Sequence, residues 1–279
     1  MDNFWSAFLY NPLLQMALVA GIIASVSSGI VGTYVVVKRI VFISGSIAHS
    51  VLGGMGFFLW LKRVHGVTWA SPLLGAVIAA LLSAILIGWI QLNYRQREDS
   101  VIATIWSVGM AIGVVFIAQT PGYNVDLMSF LLGNILWVSS TDILILSLLD
   151  GVIVLVVLLL HKRFLALCFD EVQAELQGVP VKGLYLLLLA LIAISVVLLI
   201  QIVGIVLALT MLTLPATIAG LFKRRLPQIM VLAVILSAVF NVVGTGVSYQ
   251  LDWPSGATIT LLAALSYLCC LVATKQRKA

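Results

Sequence analysis

Long runs of apolar residues, separated by short polar stretches, occupy most of this 279-residue chain. Most runs have about 18 to 25 residues, the length that an α-helix needs to cross the hydrocarbon core of a bilayer. The pattern predicts nine membrane spans: residues 13–37, 41–61, 71–92, 101–119, 126–160, 183–200, 203–222, 228–248 and 256–273. The predicted fold class is therefore an all-α polytopic membrane protein with a single transmembrane domain over residues 1–279.

The apolar run at 126–160 is longer than one simple crossing requires. Polar and small residues interrupt it at Gly133, Asn134 and Asp142. We therefore predict a broken or re-entrant first part, followed by a span at 142–160.

Residues 184–222 are almost continuously apolar, and we divide them at 201–204. Basic clusters at both ends of the stretch favour two crossings over one, because such clusters remain on the same side of a membrane. An arrangement of eight spans stays open if one of the uncertain pieces does not cross.

Composition agrees with a membrane protein, since 62% of the residues are hydrophobic and only 9% are charged. The mean hydropathy of +1.20 lies outside the range of soluble globular domains. Thirteen of the 15 Lys and Arg residues lie in alternate gaps between spans, and only Lys62 and Arg63 break this pattern. Short basic loops stay in the cytoplasm. The N-terminus is therefore predicted outside and the C-terminus inside, and the net charge of +5 indicates topology, not a nucleic-acid partner.

The longest polar gap, residues 161–182, forms the predicted cytoplasmic loop and contains signals for one short helix. Asp170 can cap the free amides of its first turn, and Gln173 follows three residues later, as in a capping box. Gly178, followed by Pro180, ends the helix.

Val172 and Leu176 are four residues apart and share one face of this short helix. Their apolar stripe must be covered by a partner or by the protein's own inner surface. The alternative is an interfacial helix that rests on lipid headgroups. The acidic residues of the segment argue against contact with an anionic leaflet.

Several short motifs follow one another along the chain in a specific order. They are Glu98-Asp99-Ser100, Asp126 to Gly133-Asn134-Ile135-Leu136, Ala174 to Gly178-Val179, Gln201 to Gly204, Leu214-Pro215-Ala216-Thr217, and Ser248-Tyr249 with Asp252-x-Pro254-x-Gly256-Ala257. Together they resemble the permease subunits of bacterial ABC importers for zinc, manganese or iron, the ABC-3 type integral membrane proteins.

This resemblance implies a type II ABC-importer-like bundle in the bacterial inner membrane. Two copies of the chain, or one copy and a related permease, would form the path, and cytoplasmic ATP-binding subunits would drive it. An extracytoplasmic metal-binding protein would deliver the ion, which is cargo, so no permanent cofactor is implied. The chain would not be an enzyme. It contains no Walker motif, so ATP hydrolysis belongs on a separate chain.

The resemblance also assigns the short helix of the 161–182 loop to ATPase coupling. The residues carried over to this role are Asp170, Glu171, Val172, Ala174, Glu175, Leu176 and Gly178.

His49 is the main candidate for the metal path, because an ionisable side chain within an apolar span is costly and marks function. The surrounding residues resemble the family segment Gly-Asp-x-x-x-His-x-x-x-Pro-Gly, in which the Asp and His are thought to offer ligands to the ion. Here Gly45 replaces that Asp and Gly53 replaces the Pro. Imidazole suits zinc, so zinc is the first expectation, with manganese or iron as alternatives. The other interpretation is that His49 hydrogen-bonds a neighbouring helix in a Gly-rich packing face.

Two acidic residues are weaker candidates for the metal path. Asp150 lies near the middle of the span at 142–160, where it could line the path, be paired or be protonated. Asp126 lies at the predicted outer end, where it could guide a cation or simply cap a loop.

Three other functions deserve comparison. An ion-coupled secondary transporter would usually show paired broken helices in related halves, and no clear internal repeat is visible. An intramembrane enzyme would need a fuller set of reactive groups than His49 and Asp150. An ABC permease for a metal chelate such as a siderophore is the nearest alternative to free metal ions.

Overall fold

The computed structural model describes residues 10–94, 98–121 and 139–276. Within these ranges the chain forms nine α-helices and no strand, which confirms the all-α fold class. The helices are α1 (Pro12–Val37), α2 (Val41–Val64), α3 (Pro72–Asn93), α4 (Glu98–Ala118), α5 (Ser140–Phe169), α6 (Glu171–Leu176), α7 (Val181–Phe222), α8 (Leu226–Leu251) and α9 (Ser255–Gln276).

Eight of these helices are long and apolar enough to cross a membrane, and α6 is the exception within the described residues. Six of the nine predicted spans correspond to one helix each, and α5 corresponds to the span predicted at 142–160. The broken or re-entrant part predicted before it falls, at 126–138, outside the described residues. The predicted spans 183–200 and 203–222 both lie in α7, so the described residues contain eight membrane-length helices for the nine predicted spans, as in the eight-span alternative. The orientation of the termini stays a prediction.

The 42 residues of α7 are interrupted once, at Gly204. A straight helix of this length measures about 63 Å, roughly twice the hydrocarbon thickness of a bilayer. Gly204 has φ 79° and ψ 169°, a conformation outside the helical region that is almost exclusive to glycine. This break lies at the end of the predicted division at 201–204.

Helix α5 continues to Phe169, nine residues beyond the predicted end of its span at 160. The basic residues after position 160 do not end the helix, because Phe164 and Leu167 anchor this part with fully buried side chains. The first half of the predicted loop at 161–182 is therefore helical. At its other end, α5 begins with the Ser139 amide and hydroxyl donating to Asp142 Oδ2 at 3.0 and 2.7 Å, and the Asp142 amide donates to Ser139 Oγ.

The described helices group into two compact units, each considered by itself. The first contains α1, α8, α9, the part of α5 up to Leu159 and the part of α7 from Leu198. Its centre is polar as well as apolar. The Asn241 amide of α8 donates to Gly21 O at 3.2 Å and to Ser25 Oγ at 3.0 Å, both on α1. Such buried polar contacts hold membrane helices together.

The second unit contains α2, α3, α4, α6 and the adjoining parts of α5 and α7. Glycines bring its first three helices into backbone contact. A Cβ atom on Gly53 would lie 2.7 Å from the carbonyl oxygen of Gly109 in α4. A Cβ atom on Gly54 would clash with the carbonyl oxygen of Gly75 in α3. Gly53 and Gly54 thus allow the close helix approach that small residues give in membranes.

Candidate metal path and coupling helix

His49 lies in the third turn of α2, in the second unit, and its side chain is half-buried. The imidazole stacks on the indole of Trp106 in α4, with ring centroids 4.1 Å apart and planes inclined by 12°. Within the described residues the imidazole makes no hydrogen bond, in contrast to the packing interpretation. The contact with α4 is a ring stack.

Gly45, where the resembling family segment has Asp, lies one turn before His49. A Cβ atom there would have one neighbour within 4 Å, Trp106 Cζ3 at 3.9 Å, which is an ordinary contact distance. Gly45 is therefore not required by packing, unlike Gly53 and Gly54. The position can accommodate a side chain beside His49, but this chain places none there.

The hydroxyl groups next to Gly45 are already engaged by carbonyl oxygens. Ser44 Oγ donates to Val41 O at 2.7 Å, within α2. Ser46 Oγ donates to Ile102 O of α4 at 2.9 Å and so ties the two helices together. These serines do not replace the missing carboxylate.

Within the described residues, no three His, Cys, Asp or Glu side chains come together as a metal cluster. Asp150 is 4% exposed and lies beside Ser27 of α1 in the first unit. Its two carboxylate oxygens have no partner at hydrogen-bond geometry among the residues described. Asp126, the third candidate, lies outside the described residues.

The short helix α6 is capped as the sequence predicts. Asp170 Oδ1 accepts a hydrogen bond from the Gln173 amide at 2.9 Å. The reciprocal half of the capping box is absent, because the Asp170 amide donates to Ala166 O at the end of α5, at 3.0 Å. Gly178 ends the segment with φ 77°. The helix is therefore held at both ends and follows directly from α5.

The apolar side of α6 is exposed in the part of the chain that the structure describes. Val172 is 71% exposed and Leu176 is 84% exposed, and Phe169 at the end of α5 adds a third exposed apolar side chain. On the opposite side, Ala174 is buried against the chain. Among the described residues, the protein's own surface leaves the stripe uncovered.

Sequence reasoning did not identify Lys38 as part of this region. Its ammonium group forms an ion pair with Glu171 of α6 and donates a hydrogen bond to Leu167 O of α5 at 3.0 Å. Lys38 and Glu171 are 133 residues apart, so no local pattern links them. The only signal was that both lie in segments predicted on the cytoplasmic face.

Comparisons with known proteins agree on one family. The model of the ABC 3 transport family matches residues 10–274. The "Probable metal transport system membrane protein" of Chlamydia trachomatis is 48% identical over 93% of this chain and 88% of its own length. The manganese transport system membrane protein MntC of Halalkalibacterium halodurans is 33% identical over 94% of this chain and 87% of its own. The chelated iron transport system membrane protein YfeD of Yersinia pestis is 34% identical over 94% of this chain and 85% of its own length.

A solved structure, PsaBC from Streptococcus pneumoniae in complex with Fab, has the same fold. The TM-score is 0.84 at 30% identity, over 96% of this chain and 94% of the matched chain. The family match, the relatives and eight apolar helices together show that this chain belongs to the ABC 3 transport family, as a multi-pass inner-membrane permease of a metal ABC importer.

Proposed function

We propose that two copies of this chain form the path of an ATP-driven importer that moves a divalent transition-metal ion into the cytoplasm. The position of His49 is the observation that supports this path. It is an ionisable group within an apolar span, and its imidazole makes no hydrogen bond within the described residues. Groups of this kind are retained in membranes mainly where they serve transport.

Coordination chemistry makes zinc the first candidate for the cargo. A path with imidazole and without the carboxylate at Gly45 favours an ion that accepts nitrogen ligands, whereas manganese prefers oxygen ligands. Manganese and iron are the other candidates, because the relatives named above are described as manganese and chelated iron transport proteins.

The exposed face of α6 supports the second part of the proposal, a cytoplasmic ATPase seated on this helix. Val172 and Leu176 give that face an apolar centre. Glu171 and Glu175 are exposed on the same short helix and supply a charged rim. An apolar centre with a polar rim is typical of a protein interface. Ala174 is buried, so its part in coupling is to seat α6 on the chain.

Delivery by an extracytoplasmic metal-binding protein completes the proposed cycle. The proposed path offers one imidazole per copy, that of His49, within the described residues. Selection is then shared between the delivering protein and the imidazoles of the two copies.

The family match argues against ion-coupled secondary transport, the alternative that would move metal without ATP.

The test is metal uptake into vesicles that contain the chain, its ATPase and its metal-binding protein. Zinc, manganese and iron are offered separately, with and without ATP, to the wild type and to His49→Ala. We expect ATP-dependent uptake that falls about tenfold or more in the variant, equivalent to losing at least about 1.4 kcal/mol of transition-state stabilisation.

The control is His65→Ala, which removes an exposed imidazole at the other end of α2. It should transport as the wild type does. Uptake without ATP would favour the secondary transporter, and full uptake by His49→Ala would remove His49 from the path.

A further inference from the structure

Lys38 lies in the turn between α1 and α2 and contacts two other helices. Its ammonium group donates to the carbonyl oxygen of Leu167 at 3.0 Å and forms an ion pair with Glu171. The Lys38 side chain is 15% exposed and that of Glu171 is 49% exposed. The cation is thus largely shielded from the salt screening that weakens pairs on an open surface.

These two contacts join both sides of the junction between α5 and α6. Leu167 lies in the last turn of α5, where carbonyl groups lack helical partners and favour a cation. Glu171 is the first residue of α6. A displacement of α6 must therefore carry Lys38 with it or break the ion pair.

The turn that holds Lys38 leads directly into the helix of the candidate metal path. Ile40 is buried at its end, and its carbonyl oxygen accepts hydrogen bonds from the amides of Ile43 and Ser44 at 3.1 and 3.3 Å. Helix α2 is in turn fixed to α4 through Ser46 and through its glycine contacts. A displacement at Lys38 would thus act on packed helices, which transmit strain instead of absorbing it.

We propose that the Lys38–Glu171 ion pair transmits movement of α6 to α2 and so to His49. Lys38 acts here as a positioning residue, through its contacts with Leu167 and Glu171. This inference rests on the proposed function, in which α6 is the element that the ATPase moves.

The test is a double-mutant cycle in the vesicle assay described above. The variants are Lys38→Gln, Glu171→Gln and the two combined, and the quantity measured is metal imported per ATP hydrolysed. We expect each single variant to lower this ratio about fivefold or more, the lower end of typical coupling between sites. The double variant should lose about the same factor and not its square, because both changes break one interaction.

Arg39→Gln is the matched control. Arg39 neighbours Lys38 in the same turn, is exposed and makes no ion pair within the described residues, so its loss should leave the ratio unchanged. Lys38→Arg keeps the charge and should retain most of the ratio. Co-purification with the ATPase identifies the variants that still assemble. If Lys38→Gln does not assemble, the import ratios of Glu171→Gln and Lys38→Arg test the proposal.

A wild-type ratio in either Gln variant, or a multiplied loss in the double variant, would overturn the ion-pair link. These outcomes are read against wild-type vesicles that import metal with ATP. Absence of such import by the wild type would instead contradict the proposed function itself.

Discussion

Neighbouring glycines of α2 have different roles, and the space around each one shows which. Gly54 lies against the backbone of Gly75, where no side-chain atom fits. Gly45 has only the edge of Trp106 within contact distance of the methyl group that an alanine would carry there. The first glycine allows two helices to touch, whereas the second leaves room beside His49.

This difference predicts opposite results for one substitution made at two positions. Gly54→Ala should lower the thermal unfolding midpoint of the purified protein, because overpacking against a backbone costs about 1–3 kcal/mol. Gly45→Ala should leave the midpoint unchanged. Equal midpoints for the two variants would mean that α2 and α3 can separate without loss of stability.

Helix α7 shows how one residue can divide a long helix. Its apolar sequence continues on both sides of Gly204, so hydropathy gives no reason for a break. The break depends on backbone conformation, since the φ and ψ angles of Gly204 are hardly accessible to residues with a Cβ atom.

We therefore expect Gly204→Ala to destabilise the protein by about 1–3 kcal/mol or to straighten α7. Gly220→Ala is the control, because Gly220 lies in the same helix and a Cβ atom added there would have no neighbour within 4 Å. Thermal unfolding and metal uptake are measured for both variants. A Gly204→Ala protein as stable and active as Gly220→Ala would show that the break is not needed.

Helix α6 has only six residues, fewer than an isolated helix needs to be stable in water. Asp170 and Gly178 fix its ends, and buried Ala174 fixes one side. The exposed side is thus presented in a defined orientation, as a docking element requires.

Val172→Asp should uncouple the importer, because a charge at the centre of an apolar interface is left without a partner. ATP hydrolysis by the complex would then no longer drive uptake, or the ATPase would no longer bind. Val172→Thr keeps the shape of the side chain and should retain most of the coupling. Intact ATP-driven uptake by Val172→Asp would place the ATPase on another surface.

The sequence predicts the membrane helices well because the bilayer imposes one requirement on all of them. Each span must be apolar over the membrane thickness, and this requirement is visible in local composition. Helix ends are less predictable. Phe164 and Leu167 extend α5 through packing, and packing depends on residues far away in the chain.

The sequence likewise predicts only part of the candidate site. His49 is visible in the sequence because a lone imidazole in an apolar run is rare. Its stack on Trp106 and the pairing of Lys38 with Glu171 are not visible, because each contact joins different helices. A single sequence carries no record of which helices become neighbours.

Two copies of the chain should assemble around one path. Structural zinc usually takes four ligands and catalytic zinc at least three from protein, whereas one copy offers one imidazole among the described path residues. Two differently tagged copies produced in the same cells should therefore co-purify. Copies mixed only after extraction with detergent are the control, and tags that never co-purify from one cell would exclude a homodimer.

The exposed side of α6 also affects the life of the chain before assembly. A copy made in excess of its partner displays Phe169, Val172 and Leu176 to water. Exposed apolar segments of this kind are aggregation liabilities. On the proposed docking, we therefore expect permease made without its ATPase to be lost faster than permease made with it, so that the shape of a six-residue helix favours balanced synthesis of the two subunits.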